Sequence, residues 1–246
     1  MGSSRLDARL VEAGLAATRS RARDLVLRGF VRVDGLRCDK PGRDLGPGVR
    51  VELTAGAPDF VSRGAEKLIG ALDTFGFKPD HRIALDVGAS TGGFVQVLLQ
   101  RGAAKVYAVD VGHQQLHADL RRDPRVVCLE KCDARTLNQD IIAEPVAAIV
   151  ADVSFISLTK VLQPALRLAC PGAWLVALIK PQFEVGPDAV GRGGIVRDLA
   201  ERDRAVEIVS TWLASQPGWS VRGRCPSPIR GGSGNEEFLI GAVCDA

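Results

Sequence analysis

The stretch Leu85-Asp-Val-Gly-Ala-Ser-Thr-Gly-Gly-Phe94 decides the fold of most of this chain. It joins an apolar run at 83–87, which has the length of a buried strand, to a segment at 92–100 with helical spacing of apolar residues. A glycine-rich turn between a strand and a helix lets the backbone approach a ligand closely and presents the unpaired N–H groups of the helix start. The stretch therefore predicts a β-α unit with a ligand site at its turn.

Strands and helices alternate along the sequence that follows. The predicted strands are 105–109, 126–129, 146–150, 174–179 and 238–243, and the predicted helices are 114–120, 158–168 and 200–213. Several of these strands are apolar throughout, as strands are when helices cover both faces of a sheet. The pattern predicts an α/β fold with a parallel sheet between two layers of helices.

A small α+β domain is predicted before this sheet. Its elements are helices at 5–14 and 18–27 and strands at 31–33 and 49–53. Thr18 is placed to cap the second helix, and the turn pair Asp34-Gly35 follows the first strand. Small and turn-forming residues fill 54–59, which predicts a linker between domains at 1–56 and 60–246.

Charge is distributed unevenly between the two predicted domains. Residues 1–53 contain eleven Lys or Arg and seven Asp or Glu, which gives +4; the whole chain carries +3, so the remainder carries −1. A basic segment attached to a nearly neutral one is typical of an enzyme with a nucleic-acid anchor. A solvated basic surface without a partner has the same composition.

The composition also argues against several classes of protein. No apolar run reaches the roughly 18 residues that span a bilayer, and the N-terminus lacks the apolar stretch of a secretory signal. The six cysteines include no C-x-x-C pair, which argues against a metal or disulfide framework. We expect a soluble, cytoplasmic protein with free thiols and no bound metal.

The glycine-rich turn itself indicates the kind of cofactor. Its pattern D-x-G-x-x-x-G-G resembles the first motif of class I methyltransferases, which bind S-adenosylmethionine, and lacks the G-x-G-x-x-G of dinucleotide folds. Asp110 ends the next strand and suits ribose hydroxyls, and Asp133 stands where related enzymes hold the adenine amino group. Either Asp taken alone has a helix N-cap as its commoner role. The residues expected at the cofactor are Asp86, Gly88, Ser90, Gly92, Gly93, Asp110, Asp133 and Asp152.

Four polar residues are candidates for catalysis. Lys67 lies on a helix before the first strand, Asp152 and Lys180 end two apolar strands, and Glu237 opens the last strand. Methyl transfer to a hydroxyl requires alignment of the reacting atoms and stabilisation of the charge that grows on oxygen, and a lysine supplies both. Ligands bind beyond the carboxyl ends of parallel strands, so Asp152 and Lys180 should meet there. Each residue taken alone also fits a solvated or structural role.

These four residues resemble the K-D-K-E tetrad of FtsJ-like RNA 2′-O-methyltransferases. They lie in or near the phrases Val61-Ser-Arg-Gly64, Asp152-Val-Ser-Phe155, Lys180-Pro-Gln-Phe183 and Gly234-Asn-Glu-Glu-Phe238. The hypothesis is that Lys180 orients or deprotonates the hydroxyl, Asp152 positions Lys180, and Lys67 and Glu237 complete the cleft. The tetrad acid is Glu237 or its neighbour Glu236, and the place next to Phe238 favours Glu237.

The N-terminal segment resembles an S4 RNA-binding domain. The resemblance rests on Arg5-Leu-Asp-Ala-Arg-Leu10, Thr18-Arg-Ser-Arg-Ala22 and Gly29-Phe-Val-Arg-Val-Asp-Gly35. Arg19 and Arg23 are four residues apart, so they share a helix face that can lie along phosphates. The residues expected to bind RNA are Arg5, Arg19, Arg21, Arg23 and Arg28.

With both domains considered, the whole chain resembles the TlyA (haemolysin A) family. The resemblance implies a class I, Rossmann-like, S-adenosylmethionine-dependent methyltransferase domain behind a small α+β S4 RNA-binding domain. It also implies methylation of ribose 2′-hydroxyls of cytidines in ribosomal RNA. The expected partner is therefore ribosomal RNA or a ribosomal subunit, with no membrane.

Three other functions are compatible with parts of the sequence. Methylation of a base nitrogen is suggested because Asp152-Val-Ser-Phe155 is loosely similar to the D-P-P-Y motif of amino methyltransferases, but the two lysines argue against it. Membrane lysis is suggested by the older family name, but no helix combines a broad apolar face with a basic one. An RNA-binding regulator with a vestigial cofactor site conflicts with the intact glycine turn.

Two further features flank the candidate site. Phe155 and Phe183 are candidates to stack on a target base drawn out of its helix, or they pack in the core. The glycine-rich segment 186–197 is interpreted as a mobile lid or an RNA-contacting loop, with an ordinary long connection as the alternative.

Overall fold

A computed structural model describes residues 4–245 of the protein and contains two compact units, which divide between Arg63 and Gly64. The elements of the first unit are β1 (Ser4–Arg5), α1 (Leu6–Glu12), α2 (Arg19–Leu27), β2 (Val31–Val33), β3 (Leu36–Arg37), β4 (Asp44–Leu45) and β5 (Val51–Leu53). Strand β2 lies between β3 and β5, and β1 pairs with β4. The predicted helix-helix-strand order is confirmed, and the predicted linker at 54–59 lies within this first unit.

The start of α2 shows why the sequence forms a helix there. The Thr18 side chain accepts a hydrogen bond from the backbone N–H of Arg21 at 3.1 Å, so the predicted cap is confirmed. Leu25 and Val26 then face a buried apolar cluster that also contains Leu6 and Leu10 of α1.

Arg21 requires a correction to the predicted RNA-binding set. It is 4% exposed, and its guanidinium donates to Asp24 Oδ2 at 3.0 Å and to the Pro58 carbonyl at 2.5 Å. Residues two positions apart on a helix point in different directions. Arg21 of α2 therefore points towards the interior, while Arg19 and Arg23 are exposed. Arg21 therefore stabilises the fold of this unit instead of presenting a charge to phosphates.

The second unit contains the predicted α/β sheet. Its helices are α3 (Gly64–Phe75), α4 (Gly93–Gln100), α5 (Ala118–Arg122), α6 (Leu158–Val161), α7 (Gln163–Arg167), α8 (Pro181–Glu184) and α9 (Leu199–Ala214). Its strands are β6 (Ile83–Val87), β7 (Lys105–Asp110), β8 (Val126–Glu130), β9 (Val146–Ala151), β10 (Ala169–Ile179), β11 (Trp219–Pro226) and β12 (Phe238–Cys244). Three short 3₁₀ turns lie at Ala134–Thr136, Pro187–Ala189 and Arg192–Gly194.

The seven strands of this sheet have the order β11-β12-β10-β9-β6-β7-β8. Strands β6 to β10 run parallel, whereas β12 is antiparallel to both β10 and β11. The sheet is parallel as predicted, except that β12 runs in the opposite direction. Strand β11 was not predicted, because its residues at 222–226 alternate polar and small side chains that carry no apolar signal.

Two predicted helices differ in extent from the observed ones. Only Ala118–Arg122 is helical in the region predicted as 114–120, because a side chain from β8 binds the backbone N–H groups before it, as described below. The helix predicted at 158–168 is divided into α6 and α7. Pro164 stands in the first turn of α7 and has no N–H to continue a helix from α6.

Among residues 4–245, no helix combines the length and the apolar composition that crossing a lipid bilayer requires.

Replacing Arg21 by Ala is expected to destabilise the first unit by about 1 to 3 kcal/mol. Asp24 would lose its nearest partner and keep Arg28 and Arg63, at 3.5 Å and 3.6 Å, and the Pro58 carbonyl would lose its donor. Amide hydrogen exchange of α2 in the full chain measures this locally. Arg23→Ala, which removes an exposed arginine from the same helix, is the control. Equal exchange rates in the two variants would contradict a structural role for Arg21.

Candidate active site

The sheet topology brings the four predicted catalytic residues to one edge. Asp152 follows β9 and Lys180 follows β10, so both lie at the carboxyl edge of the parallel strands. Strand β12 runs the other way, and its Phe238 pairs with Ile179 of β10. Glu237, one residue before β12, therefore stands at the same edge as Lys180.

Lys67 and Glu237 form a buried ion pair. Lys67 Nζ, on α3, lies 2.6 Å from Glu237 Oε2, and little of either side chain reaches solvent. Glu236 instead is partly exposed and pairs with Arg202 and Arg230. Of the two acids left open by the sequence, Glu237 is the one that meets a tetrad lysine.

Lys180 and Asp152 form the second pair, with 2.6 Å between Nζ and Oδ1. The two atoms are close enough for an ion pair, but their geometry is not that of a hydrogen bond, and Asp152 Oδ1 accepts none. Lys180 Nζ instead donates a hydrogen bond to Ser154 Oγ at 2.8 Å. Ser154 was not predicted; its place two residues after Asp152, on the turn beyond β9, was the available signal.

A cavity of about 500 Å³ opens at the same edge of the sheet, between the turns that follow β6, β7 and β9. Five of the eight predicted cofactor residues line it: Gly88, Ser90, Asp110, Asp133 and Asp152. Gly88 has a φ of 88°, and an added Cβ there would lie 2.6 Å from the Asp152 carbonyl oxygen. Only glycine allows this approach of the turn to Asp152.

The two predicted acids of the cavity differ in their contacts. Asp110 accepts hydrogen bonds from the backbone N–H groups of Ser90 at 2.8 Å and Gly112 at 2.6 Å, so it connects the glycine turn to the end of β7. Asp133 caps the 3₁₀ turn after it and pairs with the Arg135 guanidinium at 2.6 Å. Asp110 therefore links two turns beside the cavity, while Asp133 is held by Arg135.

The remaining predicted cofactor residues lie outside the lining. Gly92 and Gly93 stand at the start of α4. Asp86 is fully buried on β6, and neither carboxylate oxygen has an aligned hydrogen bond. Burial, and then the charges of Asp152 and Asp110, raise the pKa of Asp86 well above its usual range, while the nearby N–H of Val95 opposes the shift.

This acid-rich environment is informative about the ligand. A buried carboxyl without a partner, beside a cavity lined by carboxylates, favours a ligand that carries positive charge and hydroxyl donors. No group of three side chains suited to hold a metal ion occurs among residues 4–245.

Glu130, at the end of β8, organises the loop beside the cavity and was not predicted. Its carboxylate accepts from the N–H groups of Gln114 at 2.6 Å, Gln115 at 2.9 Å and Leu116 at 3.2 Å, and from Arg121 at 2.6 Å. The Arg121 hydrogen bond, followed by these N–H groups, lowers the pKa of Glu130 to about 2 against an opposing effect of burial. No local sequence pattern predicts these contacts between Glu130 and backbone N–H groups that lie 14 to 16 positions before it.

Two aromatic rings border a second cavity, of about 560 Å³, that shares Phe155 and Ile156 with the first. Phe155 is 90% exposed with a φ of 66°, and its ring centroid lies 5.2 Å from that of Phe183. The alternative that Phe155 packs in the core is therefore wrong. Glu184 holds this region together because it accepts from Ser157 Oγ at 2.6 Å and from the Leu158 N–H at 2.9 Å.

The first unit presents the remaining predicted arginines at or near its surface. Arg5 and Arg19 both pair with Asp7, at 3.0 Å and 3.2 Å, and at least about half of each arginine side chain stays exposed. Arg28 pairs with Asp24 and lies over the Phe30 ring. These arginines and the exposed Arg23 keep cationic groups at the surface of this unit.

Known families match both units. Residues 60–243 match the family described as FtsJ-like methyltransferase, and residues 4–51 match the S4 domain. The fold and the family matches together define a methyltransferase that carries an S4 domain.

Individual relatives cover nearly the whole chain. The 16S/23S rRNA (cytidine-2′-O)-methyltransferase TlyA of Mycobacterium tuberculosis is 47% identical over 96% of this chain and 88% of its own length. Hemolysin A of Brachyspira hyodysenteriae is 39% identical over 96% of this chain and 98% of its own. A solved structure from Streptococcus thermophilus, described as a hemolysin, matches with a TM-score of 0.78 and 40% identity over 99% of this chain and 89% of its own. The chain belongs to the TlyA family.

Replacing Glu130 by Gln is expected to lower stability at neutral pH, with a difference that depends on pH. Because the folded pKa is below the ordinary value of 4.5, the ionised carboxylate stabilises the fold above pH 4.5, and this contribution is lost as the pH falls towards about 2. Urea unfolding from pH 7 to pH 2 measures the difference between wild type and variant. Glu12→Gln, which changes an exposed glutamate, is the control; a difference that did not shrink in acid would contradict the prediction.

Proposed function

We propose that the protein transfers the methyl group of S-adenosylmethionine to the 2′-hydroxyl of a ribose, in cytidines of ribosomal RNA. The observation that carries the proposal is the pairing of Lys180 with Asp152 at the border of the 500 Å³ cavity. The TlyA relative of Mycobacterium tuberculosis supports the choice of ribose, cytidine and ribosomal RNA.

The cavity residues suit S-adenosylmethionine, which supplies an electrophilic methyl group on a sulfonium when bound. Asp110 offers acceptor oxygens to ribose hydroxyls, and Gly88 leaves the backbone open to close approach. Asp133 remains the candidate for the adenine amino group once its contact with Arg135 is shared. The carboxylates of Asp110 and Asp152, which line the cavity, complement the positive charge of the cofactor.

Lys180 acts on the nucleophile in this proposal. Its ammonium group, held by Asp152 and Ser154, orients the 2′-hydroxyl for in-line attack and stabilises the negative charge that develops on its oxygen. S-adenosylmethionine, when bound, would supply its methyl group to this oxygen, and the hydroxyl proton would leave to solvent. Lys67 and Glu237 form the neighbouring wall of the cleft.

RNA contacts are assigned to both units. Arg5, Arg19, Arg23 and Arg28 supply cationic groups for phosphates. Phe155 and Phe183 supply an exposed aromatic surface beside the cavity, on which an unstacked base can lie. Removal of a base from its helix costs a few kcal/mol, which stacking on these rings offsets in part.

Lys180→Ala is expected to lower methyl transfer by at least about 100-fold, because the developing charge on oxygen loses its cation. The assay uses labelled S-adenosylmethionine with unmodified small and large ribosomal subunits, and mass spectrometry locates the methyl group on sugar or base. Lys78→Ala, at an exposed lysine of the same unit, is the control. Full transfer by Lys180→Ala, or a methyl group on a base, would contradict the proposal.

Asp110→Ala is expected to weaken S-adenosylmethionine binding by about 10- to 100-fold, because a charged acceptor for hydroxyls contributes about 1.5 to 3 kcal/mol. Titration calorimetry on the free enzyme measures this without RNA. Asp110→Asn keeps one acceptor and should fall between wild type and the alanine variant, whereas Asp140→Ala should bind normally. Unchanged affinity in Asp110→Ala would remove Asp110 from the cofactor site.

A further inference from the structure

A buried side chain from the turn before β12 holds the glycine-rich segment 186–197. Asn235 is 2% exposed; its Nδ2 donates to the Gly194 carbonyl at 2.7 Å, and its Oδ1 accepts from the Val196 N–H at 3.0 Å. Both ends of the amide are therefore satisfied by the backbone of this segment. A buried amide that loses such partners costs about 1 to 3 kcal/mol, so the contact fixes both segments.

The same turn fixes the carboxylate of Glu237. The Asn235 carbonyl accepts from the Gly231 N–H at 2.9 Å, and the Glu237 carbonyl accepts from the Ser227 N–H at 2.8 Å. Gly231 packs directly against the carboxylate, since an added Cβ there would lie 2.4 Å from Glu237 Oε1. The backbone around Asn235 thus sets the position of the group that pairs with Lys67.

A second contact holds the same segment to α9. Arg202 donates from Nε to the Val196 carbonyl at 2.9 Å and also pairs with Glu236. Val196 packs in a small buried cluster with Val185 and Ala205. The segment, the first turn of α9 and the turn before β12 are therefore joined by hydrogen bonds and packing.

We infer that Asn235 is a positioning residue for methyl transfer, whose amide holds the glycine-rich segment as a fixed wall against the turn that presents Glu237 to Lys67. The inference rests on the proposed function for its catalytic consequence. A misplacement of about 1 Å caused by a change away from the reacting atoms costs on the order of 100-fold in rate. A side chain that fixes the Lys67–Glu237 wall of the cleft therefore acts on turnover without touching substrate. The residues that line the 500 Å³ cavity do not include this turn, so we expect loss of the Asn235 amide to leave cofactor affinity unchanged.

The test compares Asn235→Ala with Asn138→Ala; these are the two asparagines of the sequence, and Asn138 is exposed in a turn elsewhere. Amide hydrogen exchange is measured on the free full-length enzyme, together with S-adenosylmethionine affinity and the kcat and KM of methyl transfer. Asn235→Ala should speed exchange in 191–197 and in 231–237 together. It should lower kcat at least about 10-fold while cofactor affinity stays within twofold of wild type. Asn138→Ala should match wild type in the exchange of 191–197 and 231–237, in cofactor affinity and in kcat.

Three results would overturn the inference: unchanged kcat, faster exchange confined to 191–197, or a loss of cofactor affinity equal to the loss of kcat. If Asn235→Ala does not fold, Arg202→Ala and Gly231→Ala carry the same test. Arg202→Ala loosens the segment from α9, and Gly231→Ala displaces the Glu237 carboxylate while the Asn235 amide stays in place; both should lower kcat without changing cofactor affinity. Since exchange requires no substrate, failure of wild-type transfer to ribosomal RNA would contradict the proposed function alone.

Discussion

The antiparallel pairing of β12 with β10 is the constraint on which the candidate site depends. Parallel strands all end at one edge of a sheet, so a strand that must begin at that edge has to run the other way. Ile179 pairs with Phe238, so Lys180, which follows Ile179, and Glu237, which precedes Phe238, both lie at this edge. Lys67 then comes to the same edge through its ion pair with Glu237. Loss of either partner would leave a buried charge, at about 3 to 5 kcal/mol, so topology and charge support each other.

The carboxylates near the cavity differ in the number of hydrogen bonds that they accept. Glu130 accepts from three backbone N–H groups and from Arg121, which favours its ionised form and orders a loop that has no helix of its own. Asp110 accepts from two backbone N–H groups and connects two turns. Asp86 has no aligned donor, and its charge is disfavoured by burial and by its acidic neighbours. The region of the cavity thus contains carboxylates that shape the backbone and one, on β6 outside the lining, whose charged form is disfavoured.

Local sequence patterns predicted most of the strands and the residues at their ends, because apolar runs and glycine turns reflect contacts within a few residues. The glycine turn, Asp110, Asp152 and Lys180 were found this way. Features set by distant residues were missed or misjudged. The loop at 111–117 depends on Glu130. The reversed direction of β12 in the otherwise parallel sheet was missed because the pairing direction of a strand has no local signature. Arg21 carries the same charge as its neighbours, and only its contacts with Asp24 and Pro58 distinguish it. Ser154 and Asn235 act through contacts with Lys180 and with the backbone of 194–196, which lie 26 to 41 positions away in the sequence.

The two lysine–acid pairs have different surroundings, and this difference separates their roles. Glu237 and Lys67 are almost fully enclosed, with 3% and 8% of their side chains exposed, and neither lines the 500 Å³ cavity. Asp152 lines that cavity with 23% of its side chain exposed, and its partner Lys180 also bonds to Ser154 on the same turn. A group that acts on a substrate hydroxyl must be reachable from the space where substrate and cofactor meet. Asp152 and Ser154 line this space, and Lys180, with 11% of its side chain exposed, adjoins it through its contacts with both. The pair of Lys67 and Glu237 is enclosed by the turn at Asn235, so its stability depends on how firmly the surrounding backbone is held.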